Sequence, residues 1–407
     1  MEFDKIDRKQ IRQQFASLNS KEDLVILLNN AKTMLYGEKS NPIPLKSLTY
    51  YANPDICKKR YTTFKVKKKS GGDRTIHAPV KGLKSILRSL NLVLQCLYEP
   101  HEASTGFVLN KSIVDNAKQH IGKHYVLNID IKDFFHSFDR NRVKVAFMYE
   151  PFNLNGEREN LAFLLASLCT HPISIAEEKR AVLPQGSPTS PTITNILCRS
   201  LDRRLQGLAK RFQATYSRYA DDITFSSQRN VFQYIENPTL NEKGCYDDFM
   251  SELRRIVEDD QKLVINPNKT RLQKSGYKQE ATGLIVNDKV NVGRKYVKKI
   301  RMWLHYWEKY GYEKAQQIFI KDYIEEKGHI KRKNAQLINV LDGKLEFLKM
   351  VKGIEDHSYL KLKSRFDTIS LTQKEKGTVD LEYIVAQIIE RGIDDGIRLY
   401  CRYKMTK

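Results

Sequence analysis

Apolar and polar residues alternate with a period of two from Val126 to Phe135. There Leu127, Ile129 and Ile131 interleave with Asn128, Asp130 and Lys132, the pattern of a half-buried strand with Asp130 on its polar face. Two more runs rich in β-branched and aromatic residues, Thr215 to Arg218 and Ile223 to Ser226, flank Tyr219-Ala220-Asp221-Asp222 and read as strand, tight turn, strand. Spacings of three and four take over at Ile193, Ile196, Leu197, Leu201, Leu205 and Leu208, which define one buried helix face with a basic outer face. The loop Leu183 to Pro191 leads into that helix, with Ser190 as expected N-cap and Pro191 as its first residue.

Residues 1–50 read as helical, with an amphipathic run at Leu24, Ile26, Leu27 and Leu28 and a break at Asn41-Pro42-Ile43-Pro44. Two short strands from Tyr61 to Pro79 flank Ser70-Gly71-Gly72-Asp73, with Lys65, Lys67, Lys68, Lys69 and Arg74 around the tip. After about residue 290 the pattern is helical and basic, Val297, Ile300, Leu304 and Trp307 marking one face. A last amphipathic helix is expected around Leu381, Ile384, Ile388 and Ile389. The chain therefore divides into a helical lead-in (1–50), an α+β body (51–290), a helical subdomain (291–370) and a short helical extension (371–407).

Composition narrows the partner. The 407 residues carry 70 Lys and Arg against 48 Asp and Glu, a formal charge of +22, which favours a polyanion held through its phosphates. Nucleic acid fits better than an anionic membrane. The six cysteines, Cys57, Cys96, Cys169, Cys198, Cys245 and Cys401, form no Cys-x-x-Cys, so reduced thiols in a cytosol are expected rather than zinc or disulfides. No run of about 18 apolar residues occurs, and the expected location is cytoplasmic without membrane contact.

Two adjacent acids at a hairpin tip need a reason, because the turn lacks the Asn-Gly or Asp-Gly chemistry of a two-residue hairpin. Asp247-Asp248, Asp259-Asp260 and Asp394-Asp395 are read instead as solvated acids. Phosphoryl transfer at two metal ions needs carboxylates that converge from separate strands, and Asp130, Asp221 and Asp222 could supply them. The loop at Gln185-Gly186 would let backbone approach a base pair, and the basic hairpin would neutralise phosphates. Gly106 to Ser112 lacks the glycine before Lys111-Ser112 that a Walker loop requires, which excludes that ATPase motif.

The ordered set of Asp130 within Ile129 to Phe135, then Leu183-Pro184-Gln185-Gly186-Ser187-Pro188, then Tyr219-Ala220-Asp221-Asp222, resembles motifs A, B and C of reverse transcriptases. Asn268-Lys269-Thr270 is similar to motif D, and the Lys67 to Arg74 hairpin to the fingers. Asn116-Ala117-Lys118-Gln119-His120 matches the Asn-Ala-x-x-His element of bacterial retron enzymes. Ala281-Thr282-Gly283 resembles their Val-Thr-Gly element but departs at its first residue. The resemblance implies a right-hand polymerase: fingers and an antiparallel palm sheet packed on helices over 51–290, and an RNA-binding helical thumb over 291–370. It implies two Mg2+ ions on Asp130, Asp221, Asp222 and the Ile131 carbonyl. Lys69, Arg74, Phe135, Gln185, Gly186 and Lys269 would contact the nucleotide, with Phe135 as gate against a ribose 2′-hydroxyl and Lys269 as general acid. Asn116, His120, Thr282, Gly283, Lys298, Lys299 and Arg301 would contact RNA.

The implied reaction is synthesis of DNA from deoxynucleotide triphosphates on a dedicated structured noncoding RNA, primed from an RNA 2′-hydroxyl. Its product would be branched RNA-DNA (multicopy single-stranded DNA) serving antiphage defence. With only about 40 residues after the thumb, template removal by a host ribonuclease H and any effector or toxin are expected on other chains. Alternatives are a non-retron defence polymerase, protein-primed or template-independent, a group II intron-like enzyme, and a catalytically silent RNA-binding scaffold.

Overall fold

The computed structural model describes residues 5–67, 71–175, 177–233, 236, 238–241, 244–327 and 335–377. Lys69, the tip residues Lys68 and Ser70, the basic run Lys331 to Lys333 and the helix expected near Leu381 lie outside them. The chain forms two compact units, Met1–Val290 and Asn291–Lys407. The expected α+β class holds.

In the first unit, helices α1 (Lys5–Ala16), α2 (Lys21–Tyr36) and α3 (Leu45–Ala52) precede the hairpin β1 (Tyr61–Lys67) and β2 (Asp73–Pro79). A capping box closes the start of α2, where Ser20 accepts from Asp23 N and the Asp23 carboxylate from Ser20 N. Helix α4 (Lys81–Leu97) buries Leu83, Ile86, Leu87, Leu90, Val93 and Leu94, and α1 and α2 pack against it. There follow α5 (Ile113–Lys118), β3 (Tyr125–Asp130), α6 (Arg140–Met148), α7 (Glu159–Cys169), and the hairpin β4 (His171–Ile175) and β5 (Glu178–Val182). Next come α8 (Ser190–Leu197), α9 (Arg199–Arg211), β6 (Thr215–Tyr219), β7 (Asp222–Ser227) and α10 (Phe249–Arg254). Short strands β8 (Arg271–Lys274), β9 (Glu280–Ala281) and β10 (Leu284–Ile285) complete the unit.

The central sheet has four antiparallel strands in the order β6-β7-β3-β8. Alternation gives it two unlike faces. Leu127, Ile129, Tyr216, Ile223 and Phe225 join the buried cluster that contains Leu201, Leu205 and Leu208 of α9. Asp130, Asn128, Asp222, Thr224, Ser226, Ser217 and Tyr219 have the opposite parity and form a polar face.

Three local expectations change. The strand expected from Val126 to Phe135 ends at Asp130; Asp133 turns the chain with φ 48°, and Phe135 lies in a 3-10 turn, Phe134–Ser137. Thr189, not Ser190, stands at the N-cap position of α8 and makes no side-chain cap bond there; the Ser190 hydroxyl donates to the Pro184 carbonyl (2.8 Å), folding the loop back on the helix start. Asp248 is not a solvated acid: it is buried and caps α10 by accepting from Ser251 N (2.9 Å), while Asp260 pairs with Arg204 and Arg255. Asp394-Asp395 lies outside the described residues.

The second unit packs α11 (Arg294–Tyr310), α12 (Tyr312–Lys327), α13 (Leu337–Lys352) and α14 (His357–Gly377) around Ile300, Trp303, Leu304, Trp307, Phe319, Leu341 and Leu345. The Trp303 and Phe319 rings meet edge to face at 5.2 Å. Among the described residues no helix is long and apolar enough to cross a membrane.

Candidate active site

Register brings the acids together. Asp130, the last residue of β3, pairs directly with Asp222, the first of β7, and Asp221 precedes it in the two-residue turn from Tyr219. The Ile131 amide donates to the Asp221 carbonyl at 3.1 Å, which ties the turn to the end of β3. The Ile131 carbonyl accepts none of the backbone bonds of its bridge to Ile265, which run instead from Lys132 N to Val264 O and from Asn266 N to Asp130 O (both 2.8 Å).

Both oxygens of Asp130 are engaged: Lys269 Nζ lies 2.8 Å from Oδ1, and Asn266 Nδ2 donates to Oδ2 at 3.1 Å. The Asp130 hydrogen bond holds the Lys269 ammonium above its usual pKa. Burial and then the Asp130 charge raise Asp221, while Lys269 and Arg74 pull it back. Burial and then the charges of Asp221 and Asp130 push Asp222 up to about 6; the residue keeps a solvent-exposed face, so water screens part of that effect.

These are the marks of a site short of positive charge. The donors are hard oxygens, and an ammonium already occupies a cation position beside Asp130, so the residues fit Mg2+. Among the described residues no group of three or more His, Cys, Asp or Glu forms a ready cage. Mg2+ seldom needs one, because substrate phosphates and water complete its octahedron. A cavity of about 600 Å³ lined by Arg12, Phe15, Tyr98, Glu150, Arg158 and Arg199 contains none of these acids.

Of the nucleotide candidates, Lys269 bonds Asp130 and Arg74 lies near enough to Asp221 to lower its pKa. Phe135 is half-buried, its ring 5.7 Å from Phe134 and 6.2 Å from Phe107, so packing holds it without enclosing it. Gln185 O accepts from His77 N of β2 at 2.8 Å. Gly186 has φ 118°, and a Cβ there would lie 2.7 Å from the His77 carbonyl, so only glycine fits. That contact docks the Gln185-Gly186 loop on the hairpin whose β2 carries exposed Arg74. Lys298 and Arg301 are exposed and Lys299 half-buried on α11 of the second unit.

Two residues expected to contact RNA do not reach the surface. Asn116 and His120 are both 0% exposed. Thr105 Oγ1 donates to Asn116 Oδ1 (2.8 Å), and His120 lies 2.7 Å from Ser226 Oγ through Nδ1 and 2.7 Å from Ser217 Oγ through Nε2. Burial pushes the His120 imidazole down to about 3, so it is neutral. Thr282 and Gly283 do come near the surface, with φ 49° and 79°; Gly283 is exposed, and Thr282 Oγ1 donates to the Ile113 carbonyl at 3.3 Å.

Sequence reasoning missed the support behind the turn. Arg218 is fully buried on the helix-packed face and bonds Asp202 of α9 through Nε and Nη2, both at 2.7 Å. Burial alone would lower the guanidinium, but the Asp202 carboxylate more than offsets it and the pKa rises. Arg218 Nη1 donates to the Ala220 carbonyl (3.1 Å), and Nη2 also reaches Ser104 Oγ and Asn195 Oδ1. Gly106 lies against the same turn: a Cβ there would sit 2.4 Å from Ala220 N. An arginine inside a strand pattern, three residues before an acid pair, was the available signal.

A family model for reverse transcriptase (RNA-dependent DNA polymerase) matches residues 66–291. The retron Ec86 reverse transcriptase of Escherichia coli is 31% identical over 69% of this chain and 78% of that protein. The chain belongs to the reverse transcriptase family, in its bacterial retron type. The retron Mx162 and Mx65 reverse transcriptases of Myxococcus xanthus are 36% and 33% identical over 60% and 61% of this chain. Those alignments cover 52% and 56% of the relatives, so this reverse transcriptase spans about half the length of each.

Proposed function

We propose that the protein is an RNA-directed DNA polymerase that copies a dedicated structured noncoding RNA into DNA. The observation that carries this reading is the pairing of Asp130 with Asp222 beside Asp221, at the open end of a polar sheet face. Two Mg2+ ions held by Asp130, Asp221, Asp222 and the Ile131 carbonyl would supply Lewis acidity, activating a priming hydroxyl and neutralising the triphosphate. Arg74 and Lys69 bind the triphosphate. Gln185 and Gly186 face the nascent base pair, and the Phe135 ring fills the space of a ribose 2′-hydroxyl. Lys269, whose proton Asp130 stabilises, is the donor to the leaving pyrophosphate.

Residues 51–290 act as fingers and palm and 291–370 as a thumb that grips RNA through Lys298, Lys299 and Arg301, with Thr282 and Gly283 as further contacts. The product is branched RNA-DNA, made in the bacterial cytoplasm for antiphage defence with a separate effector and a host ribonuclease H.

Purified protein with the RNA of its locus should incorporate deoxynucleotides, and Asp221→Asn with Asp222→Asn should abolish incorporation. Synthesis that survives the double substitution sinks the assignment. Sequencing of copurifying nucleic acid tests the retron product: one short RNA joined to complementary DNA supports it, and mixed RNA without linked DNA overturns it.

A further inference from the structure

The turn between β6 and β7 cannot set its own register strongly. Its residues are Ala220 and Asp221, and Ala220 adopts φ 59°, where a side chain is disfavoured and Asn or Gly would be at ease. A slip of one residue would move Asp222 to the opposite face. The alignment must therefore be held from outside the turn. On the helix-packed face Arg218 ties β6 to Asp202 and to the Ala220 carbonyl of the turn, and on the polar face, among the described residues, His120 bonds both strands through its two ring nitrogens.

Strand pairing places Ser217 opposite Thr224 and Ser226 opposite Thr215, so the imidazole spans the hairpin diagonally, two positions out of register. Between that tie and the acids Asn128 Nδ2 donates to Thr224 Oγ1 at 3.2 Å, continuing the cross-linked polar face. The histidine is itself fixed. It follows α5, whose start is closed by a capping box between Ser112 and Asp115, and His120 N donates to the Ala117 carbonyl (3.0 Å). Asn116, one turn earlier, is bonded by Thr105, whose amide donates to the Arg218 carbonyl at 2.9 Å. The nearer tie, Ser217, lies opposite Thr224, two positions or about 7 Å along the strand from Asp222, so His120 bonds the strands behind the acids and not the acids themselves.

We propose that His120 is a positioning residue: by bonding Ser217 and Ser226 together it holds β6 and β7 in the alignment that presents Asp221 and Asp222 to metal and nucleotide. The proposal deepens the polymerase reading and rests on it. It assigns Asn116 and His120 an internal role, in place of RNA contact.

The test compares His120→Leu, Ser217→Ala with Ser226→Ala, and all three together, in the full chain. Four quantities are read: kcat and KM for single-nucleotide addition to a DNA primer on a plain RNA template, Mn2+ affinity by water proton relaxation, locus RNA affinity, and melting temperature. His120→Leu should lower kcat by roughly 10²-fold with KM unchanged, the cost of a small misplacement of reacting groups. It should weaken Mn2+ binding about 10- to 100-fold, as loss of a group that orients ligands does. RNA affinity should hold. The serine pair should reproduce both losses, and the triple variant should be no worse than either, because the groups act as one unit. If His120→Leu is too unstable to assay, the triple variant carries the measurement, since it leaves no buried hydroxyl unsatisfied.

Multiplying losses, unchanged Mn2+ affinity and kcat, or RNA affinity lost with kcat intact would each overturn the proposal. Should the parent protein add no nucleotide, the polymerase reading fails, and the Mn2+ comparison still decides whether His120 positions the acids.

Discussion

Replacing Arg218 by methionine separates stability from positioning. The guanidinium and Asp202 are both fully buried and meet through two bonds of 2.7 Å. Removing one partner leaves a buried charge uncompensated, at a cost of about 3 to 5 kcal/mol. For a unit of this size each kcal/mol lowers the melting temperature by about 2 to 4 °C, so Arg218→Met should melt roughly 6 to 20 °C below the parent. Adding Asp202→Leu and Tyr216→Phe removes the orphaned carboxylate and the hydroxyl that donates to it (2.7 Å), and should restore most of that loss. It cannot restore the bond to the Ala220 carbonyl, so single-turnover nucleotide addition should stay depressed in the refolded triple variant. Thermal unfolding by circular dichroism and quenched-flow primer extension read the two effects. An Arg218→Met protein that melts within about 2 °C of the parent, less than one kcal/mol, or a triple variant with parental rates, would refute the reasoning.

Other perturbations follow from the same geometry. Gly106→Ala forces a Cβ to 2.4 Å from Ala220 N, whereas Gly207→Ala in α9 meets nothing within 4 Å. The first should cost about 1 to 3 kcal/mol and slow catalysis, the second should gain up to about 1 kcal/mol of helix propensity, and similar melting curves for both would contradict the packing. Phe135→Ala should admit ribonucleotides while DNA synthesis persists; loss of all synthesis would mean that the ring is chiefly core. The buried His120 imidazole, depressed to about 3 against an ordinary 6.5, binds fewer protons folded than unfolded. Its contribution is therefore complete above about pH 6.5 and falls as pH drops toward 3, by about 1.4 kcal/mol per unit; melting from pH 7 to 4.5 should be flatter in His120→Leu, and parallel curves would remove the basis for this. Neutralising Lys298, Lys299 and Arg301 should weaken RNA binding and cut the log-log salt slope by roughly 0.7 to 0.9 per lost phosphate contact, an effect that filter binding across a salt series would detect.

Much of the site could be read from the chain because its elements obey local rules. Period-two alternation put Asp130 on a polar face, and the apolar spacing from Ile193 to Leu208 marked a buried helical face, although the structure divides that segment at Cys198 into α8 and α9. The linear motifs named the family without any contact being known. Boundaries were less legible: β3 stops at Asp130 because Asp133 turns the chain, and Ser190 bonds backward to Pro184 instead of capping. Such details depend on competition between neighbouring backbone groups that one-dimensional patterning does not resolve.

The sequence by itself determined the class of fold, the basic character that suits a polyanion, and which acids stand at a hairpin turn. Only the tertiary structure decided what each polar residue faces. Asn116 and His120 stand in a linear element that suggests RNA contact, yet they are buried against β6 and β7. Arg218 is a charge inside a strand pattern, yet only the packing shows it to be the buried partner of Asp202 and a donor to the Ala220 carbonyl in the turn before Asp222. Gly106 gives no sign of its contact with Ala220, more than 100 positions away. The physical reason is that a strand's period fixes which residues share a face, whereas the identity of what covers that face depends on chain crossings between distant segments.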